Sequence, residues 1–146
     1  MAAVFVEMEL REIQIVEDSS RNQVVILRER DGPREFPIFI GLFEALALDS
    51  AVRGFVPPRP MTHDLIFNVI EGAQGKLVRV LVDDLRDETF HGKLVIELPS
   101  GQEVLVDSRP SDAIVLASKR RAPIFVAEHV LDQVCRPDSA EPEQEN

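Results

Sequence analysis

The stretch Phe36-Pro-Ile-Phe-Ile-Gly41-Leu-Phe-Glu44-Ala-Leu-Ala-Leu-Asp-Ser-Ala-Val52 changes from a strand pattern to a helix pattern at its glycine. Aromatic and β-branched residues from Phe36 to Ile40 predict a short strand, which Gly41 interrupts. The Ala and Leu residues that follow favour a helix, whose end Gly54 marks. The fold is therefore predicted to contain a strand that leads directly into a helix.

Two further strands are predicted before this stretch. Apolar residues recur at every second position from Val4 to Leu10, and a second β-rich run spans Val24 to Leu27. The polar residues 17 to 22 separate the two runs, which predicts a hairpin, and Asp31-Gly32-Pro33 predicts the next turn. Three consecutive strands are thus expected before the first helix.

After a link and a second helix, the chain repeats this order of signals from Leu77 onward. An extended link is predicted at Phe55 to Pro58, followed by a helix that Thr62 caps and Gly72 ends. The remaining predictions are strands at Leu77 to Val82, Thr89 to Leu98 and Glu103 to Val106, turns at Asp83 to Asp87 and Pro99 to Gly101, a helix at Asp112 to Arg120 capped by Ser111, a strand at Pro123 to Val126, and a helix at Ala127 to Val134.

Two triplets that start helices align at a fixed spacing. Glu44-Ala45-Leu46 matches Asp112-Ala113-Ile114, and Asp112 follows Glu44 by 68 residues. The same offset superimposes predicted turns and helices, which indicates a duplicated βββα-type motif. Chance alignment of two α+β stretches is the alternative, and the identities leave both open. The predicted fold class is α+β, with a mainly antiparallel sheet covered by helices.

Length and charge limit the choice of partners. The chain has 146 residues and a formal charge of −10, so residues 1–136 are predicted to form one domain and residues 137–146 an acidic disordered tail. An acidic domain repels a polyanion at long range, and the chain lacks Trp and Tyr for base stacking. A nucleic-acid partner would therefore need local Arg clusters or a metal ion.

Cysteine content and hydropathy predict the compartment. Cys135 is the only cysteine, which excludes an internal disulfide and a thiolate zinc cluster and suits the reducing cytoplasm. No apolar run approaches the roughly 20 residues that span a bilayer, so no membrane partner is expected. Apolar strands such as Leu77 to Val82 need an edge or face covered, which predicts a homo-oligomer, with a dimer as the simplest form.

The first of two Arg-Pro turns is Arg59-Pro60-Met-Thr-His63-Asp64. Its prolines stiffen the chain before a helix start, where free N–H groups and Arg59 can hold a phosphate. His63 is the histidine best placed for acid/base chemistry, whereas His91 and His129 are interpreted as surface residues. The alternative is that Asp64 only caps the helix and Arg59 pairs with a surface carboxylate.

The second turn is Asp107-Ser-Arg109-Pro-Ser111-Asp112. Asp107 and Asp112 can hold a divalent cation through oxygen ligands, or can orient Arg109 by ion pairing. The alternative is again structural, with Asp112 as a favourable acid in the first helical turn and Asp107 as a turn former. Ser111 is a weak nucleophile candidate, and no phosphate-binding loop, dinucleotide fingerprint or nucleophile elbow occurs.

Five ordered blocks together resemble the bifunctional nuclease domain family. They are Phe36-Pro-Ile-Phe-Ile-Gly with Glu44-Ala45, Arg59-Pro-Met-Thr-His-Asp64, Thr89-Phe-His-Gly-Lys-Leu94, Asp107-Ser-Arg-Pro-Ser-Asp-Ala-Ile114 and Pro123-Ile-Phe-Val126. The resemblance spans about Val4 to Val134. The family's Phe-Tyr-Ala strand motif stands here as Phe90-His91-Gly92.

The resemblance implies a nuclease that acts on RNA and DNA. Phosphodiester cleavage needs charge neutralisation at the phosphate, which implies Mg²⁺ or Mn²⁺ and no organic cofactor. The implied metal ligands are Glu44, Asp64, Asp107 and Asp112; the implied phosphate-binding residues are Arg59, Arg109 and Ser111; and the implied catalytic residues are His63, Asp64, Arg109 and Asp112.

Two other functions remain open at this point. A non-catalytic module would use the Arg-Pro turns to brace the fold or an oligomer interface, which the acidic charge favours. A small-molecule phosphodiesterase would use the same pocket for a generic phosphodiester and leave the polymer uncut.

Overall fold

The computed structural model describes residues 3–16 and 22–135, which form seven strands and four helices. The strands are β1 (Phe5–Gln14), β2 (Gln23–Glu29), β3 (Glu35–Ile40), β4 (Lys76–Arg86), β5 (Thr89–Glu97), β6 (Glu103–Ser108) and β7 (Ile124–Ala127). The helices are α1 (Leu42–Val52), α2 (Thr62–Gly72), α3 (Pro110–Arg120) and α4 (Glu128–Val134). The predicted acidic tail at 137–146 lies outside the described residues, as does most of the predicted 17–22 turn.

One sheet contains all seven strands in the order β3-β2-β1-β7-β4-β5-β6. Every neighbouring pair is antiparallel except β7 and β4, which are parallel. The predicted α+β class with a mainly antiparallel sheet is confirmed.

The two halves of the sheet are related by the predicted 68-residue offset. β3 and β6 begin and end 68 residues apart, and so do α1 and α3. Because β7 is antiparallel to β1 and parallel to β4, those two strands run in opposite directions. The strand order is also mirrored about β7. An approximate two-fold axis through the sheet therefore relates the two halves.

The core lies between the sheet and the packed pair α1 and α3. β3 alternates strictly, with Phe36, Ile38 and Ile40 buried and Pro37 and Phe39 facing outward. Pro37 is tolerated because β3 is an edge strand. On the helices, the buried residues are Ala45, Leu48 and Ala51 of α1 and Pro110, Ser111 and Ala113 to Ala117 of α3.

Three local predictions are wrong. The N-cap of α2 is Met61, and that of α3 is Arg109, so Thr62 and Ser111 are already helical. Pro110 explains the second shift, because proline is favoured at the first helical position, where no N–H is needed. The predicted turn at 83–87 is instead the end of β4, and the hairpin turns at Asp87 and Glu88, which have φ of 52° and 62°.

Helix lengths bear on the membrane prediction. In residues 3–16 and 22–135, no helix is long and apolar enough to cross a membrane.

Candidate functional site

The candidate site is built around an ion pair at the start of α3. The Nε and Nη2 groups of Arg109 donate to the two carboxylate oxygens of Asp112, at 2.8 and 3.1 Å. Arg109 is the N-cap and Asp112 lies three residues later, so one helical turn sets this bidentate geometry. The pair therefore follows from local sequence.

Glu44 joins this pair from the other half of the chain. Arg109 donates through Nη1 to Glu44 Oε2 at 3.1 Å, although 65 residues separate them. Glu44 lies in the first turn of α1, at the position equivalent to Asp112 in α3. One guanidinium thus bridges the two equivalent carboxylates.

His63 approaches the same aspartate from α2. Its Nε2 lies 3.0 Å from Asp112 Oδ1, and the imidazole side chain is 16% exposed. In the neutral ring this contact requires the proton on Nε2, because the carboxylate accepts it. Nδ1 is then the atom that can take up a proton.

We call Arg109, Asp112 and His63 the trio. The contacts within the trio keep Asp112 ionised. Burial opposes ionisation of Asp112, but hydrogen bonds from Arg109 and His63 outweigh it, and the pKa lies below its ordinary value. Hydrogen bonds to Asp112 and Glu44 raise the pKa of Arg109. The site is therefore a fixed charge pair with a histidine attached.

Asp64 belongs to a neighbouring contact. Its Oδ2 accepts the N–H of Met61 at 3.0 Å, and its Oδ1 lies 2.9 Å from Nζ of Lys119. The Met61 hydrogen bond, together with Lys119, lowers the pKa of Asp64. Asp64 thus caps α2 and ties it to the end of α3, which is the structural alternative for this residue.

The other predicted residues lie apart from the trio or at its edge. Arg59 is exposed and forms no hydrogen bond or ion pair with the described residues. Asp107 is 81% exposed and lies 3.4 Å from Nζ of Lys93, on the opposite face of β6 from Ser108. Ser111 is 8% exposed and lines a cleft beside Arg109.

That cleft has a volume of about 400 Å³ and lies between β3, the β4–β5 turn and the start of α3. Its lining includes Glu44, Phe90, Arg109 and Ser111. Gly92 permits the close approach of β5 to α3, since a side chain there would lie 3.2 Å from the carbonyl oxygen of Ser108 and 3.3 Å from Pro110. The cleft gives a ligand access to the outer edge of Arg109.

The four predicted metal ligands do not form one binding set. Asp107 faces away from the trio, Asp64 is engaged by Lys119, and the Arg109 guanidinium lies between the Glu44 and Asp112 carboxylates. Within the described ranges, no three Asp, Glu, His or Cys side chains are grouped as a metal site requires. These residues do not fit the ion, and Mg²⁺ or Mn²⁺ remains a prediction of the sequence.

Lys119 is the residue that sequence reasoning missed. Its signal is its place in the last turn of α3, where a cation is favoured by the helix dipole. The pairing with Asp64 across 55 positions has no sequence signature. The same holds for the contact of His63 with Asp112.

Comparison with known sequences gives the family. The chain matches the bifunctional nuclease domain over residues 25–138. It is also similar to two Mycobacterium tuberculosis proteins, "Uncharacterized protein MT1877" of strain CDC 1551 and "Uncharacterized protein Rv1829" of strain H37Rv. Each is 39% identical over 126 residues, which cover 86% of this chain and 74% of the relative. The chain therefore belongs to the bifunctional nuclease domain family.

Proposed function

We propose that this protein is a nuclease that binds a phosphodiester of RNA or DNA at Arg109 and cleaves it with the help of His63. The observation that supports this is the Asp112 carboxylate, which binds both the guanidinium of Arg109 and the imidazole of His63. An anion-binding group at the start of α3 and a proton acceptor at the start of α2 are thereby held together.

Arg109 keeps the capacity to bind phosphate. Three of its N–H groups are used by Asp112 and Glu44, and a guanidinium carries five in total. The side chain is 61% exposed and lines the cleft with Ser111. The two remaining N–H groups can bind phosphate oxygens. Arg59, which has no ion pair with the part of the chain that the structure describes, can hold a neighbouring phosphate of the strand.

His63 supplies the proton transfer in this proposal. Asp112 orients the ring, as an aspartate does for the histidine of a hydrolytic triad. Nδ1 takes the proton of the attacking water or 2′-hydroxyl. General acid–base catalysis of this kind contributes about 10²–10⁴-fold to rate.

A matched pair of aspartates tests the site. Asp107 and Asp112 flank the same arginine, but only Asp112 contacts Arg109 and His63. We expect Asp112→Asn and His63→Gln each to slow cleavage of single-stranded RNA by about 100-fold or more. Asp107→Asn should cleave within about 3-fold of wild type, because it leaves the trio intact. Single-turnover rates of variants with wild-type circular dichroism and Tm provide the measurement.

A structural role for Arg109 is the competing function. Its bridge from α3 to Glu44 favours a brace, since it joins the two halves. If folded Asp112→Asn and His63→Gln proteins cleave as fast as wild type, the trio is such a brace and the nuclease assignment of this site is wrong. Turnover of a generic phosphodiester without cleavage of polymer would instead indicate a small-molecule phosphodiesterase.

A further inference from the structure

Exposed hydrophobic side chains are concentrated in one part of the chain. Of thirteen large hydrophobic residues that are exposed in the described ranges, eight lie between residues 43 and 69. They are Phe43, Leu46, Val52, Phe55, Val56, Met61, Leu65 and Val69. This set belongs to α1, α2 and the link between them.

Most of this set forms one continuous surface, which we call the α1–α2 face. Phe43, Leu46, Phe55 and Met61 line a single groove of about 420 Å³. Met61 and Leu65 line the adjoining depression, and Val69 is one helical turn beyond Leu65. Contiguous apolar patches of this extent are rare on monomeric proteins.

The equivalent position of α3 is buried, and α3 has a helix packed on it. Leu46 is 45% exposed, whereas Ile114, at the equivalent position of α3, is 1% exposed. α2 packs on α3, and its Asp64 and Glu71 pair with Lys119 and Arg120 there.

The helix that would cover α1 by the same symmetry is α4. It follows β7 and packs on β4 and β7 instead. Among residues 3–16 and 22–135, the exposed face of α1 therefore lacks the covering helix that its counterpart on α3 has.

We propose that a second copy of this chain covers the α1–α2 face. The partner's α2 occupies on α1 the place that α2 occupies on α3, and presents the stripe of Met61, Leu65 and Val69. Each copy offers both surfaces, so a two-fold dimer uses each of them twice. This inference gives the predicted homo-oligomer a defined interface. Because His63 also lines the groove of the α1–α2 face, the partner lies beside the candidate site.

The size of the face suits a stable dimer. A standard interface buries about 800 Å² on each partner. An aromatic side chain offers about 150–250 Å². Phe43 and Phe55 are 82% and 58% exposed and lie beside exposed aliphatic residues, so their combined apolar area is of the required order.

The chemistry of the face favours protein over nucleic acid. Four of its six exposed hydrophobic residues, Leu46, Met61, Leu65 and Val69, offer no ring for base stacking. Two of the nearby cations, Arg53 and Lys119, are already paired with Asp49 and Asp64 at 2.9 Å. Phosphate attraction there is limited to Arg59, which lines the adjoining depression. The groove itself is mainly apolar, and a second apolar face loses no charge interaction on docking there.

Leu46 and Leu105 form a matched pair for the test. Both are exposed leucines, but Leu105 lies on β6, away from the α1–α2 face. Sedimentation equilibrium of the full chain should show a wild-type dimer at protein concentrations of about 10–100 µM. A dimer with a micromolar dissociation constant is populated at such concentrations. Leu46→Lys and Leu65→Lys should each raise the dissociation constant by about 30-fold or more, and Leu105→Lys by less than about 3-fold.

Several results would overturn the proposal. If the wild-type chain is monomeric at a protein concentration of about 100 µM, it does not form this dimer, because even a weak dimer would be populated there. A dimer that Leu105→Lys dissociates and Leu46→Lys leaves intact uses the β6 edge instead. If the wild type is monomeric and Leu46→Lys abolishes binding of fluorescent single-stranded RNA, the face is a nucleic-acid platform. Circular dichroism of each variant confirms that the fold is retained.

Discussion

Residues 56–59 and residues 124–127 are separated by the same 68 positions that relate the two halves, yet they adopt different structures. The second segment, Ile-Phe-Val-Ala, is β7, in the centre of the sheet. The first, Val-Pro-Pro-Arg, is a link outside the sheet. Two facts keep the first segment out of the sheet. Proline has no N–H to donate to a neighbouring strand, and β7 already fills the single place between β1 and β4.

This difference explains the asymmetry of the site. The link leaves α2 free to pack on α3, where it brings His63 to Asp112, whereas β7 directs α4 onto β4 and β7. Glu44 therefore has no histidine equivalent to His63 beside it. A near-symmetric scaffold thus carries one candidate site, and each half contributes different groups to it.

The largest effect is expected from truncating the equivalent core and surface positions of the two halves. Ile114→Ala should lower the free energy of unfolding by about 3 kcal/mol, because it leaves a cavity in a fully packed position. Leu46→Ala should cost less than about 1 kcal/mol, since Leu46 is half exposed in the monomer. Urea unfolding at dilute protein concentration measures the free energy of unfolding of both variants. Equal losses of stability would contradict the exposure of Leu46 on α1.

An intermediate effect is expected at the two equivalent carboxylates. Asp112→Asn weakens the ionic hydrogen bonds to Arg109 and His63 and should destabilise the fold by about 2 kcal/mol at pH 7. Glu44→Gln alters one contact to an exposed arginine and should cost about 0–1 kcal/mol.

The pH dependence of that effect has a defined sign. The pKa of Asp112 is lowered in the folded protein, so its stabilisation is complete above its unfolded value of about 3.9 and is lost as pH falls through the folded value. The stability difference between wild type and Asp112→Asn should therefore shrink below about pH 4. A difference that persists unchanged at pH 2, well below the ordinary value of about 3.9, would contradict an ionic role for Asp112.

The smallest effect is expected in the link. Replacing Pro57 and Pro58 by alanine should destabilise the protein by less than about 1 kcal/mol per site, through the greater freedom of the unfolded chain. The link should stay outside the sheet, because β7 already occupies the central place. If the amides of the link became protected from hydrogen exchange, as in a strand, the prolines alone would be what keeps the link out of the sheet.

Local signals predicted much of the fold. The junction of β3 and α1 was predicted by its residue types, and β1 and β2 by alternation and composition. Helix starts were misplaced by one or two residues, because Thr62 and Ser111 are good caps in isolation while Pro110 sets the start of α3. The place of β7 in the sheet could not be predicted, since strand pairing depends on contacts distant in sequence.

The sequence by itself determined the order of strands and helices, the 68-residue correspondence, and the Arg109–Asp112 pair, which one helical turn brings together. Only the tertiary structure decided that Glu44 and His63 join that pair and that Arg59 and Asp107 do not. The physical reason is the separation in sequence of the residues that make each contact. Local patterns reflect the geometry of a turn or a strand, whereas contacts across 49 or 65 positions depend on how the packed halves meet.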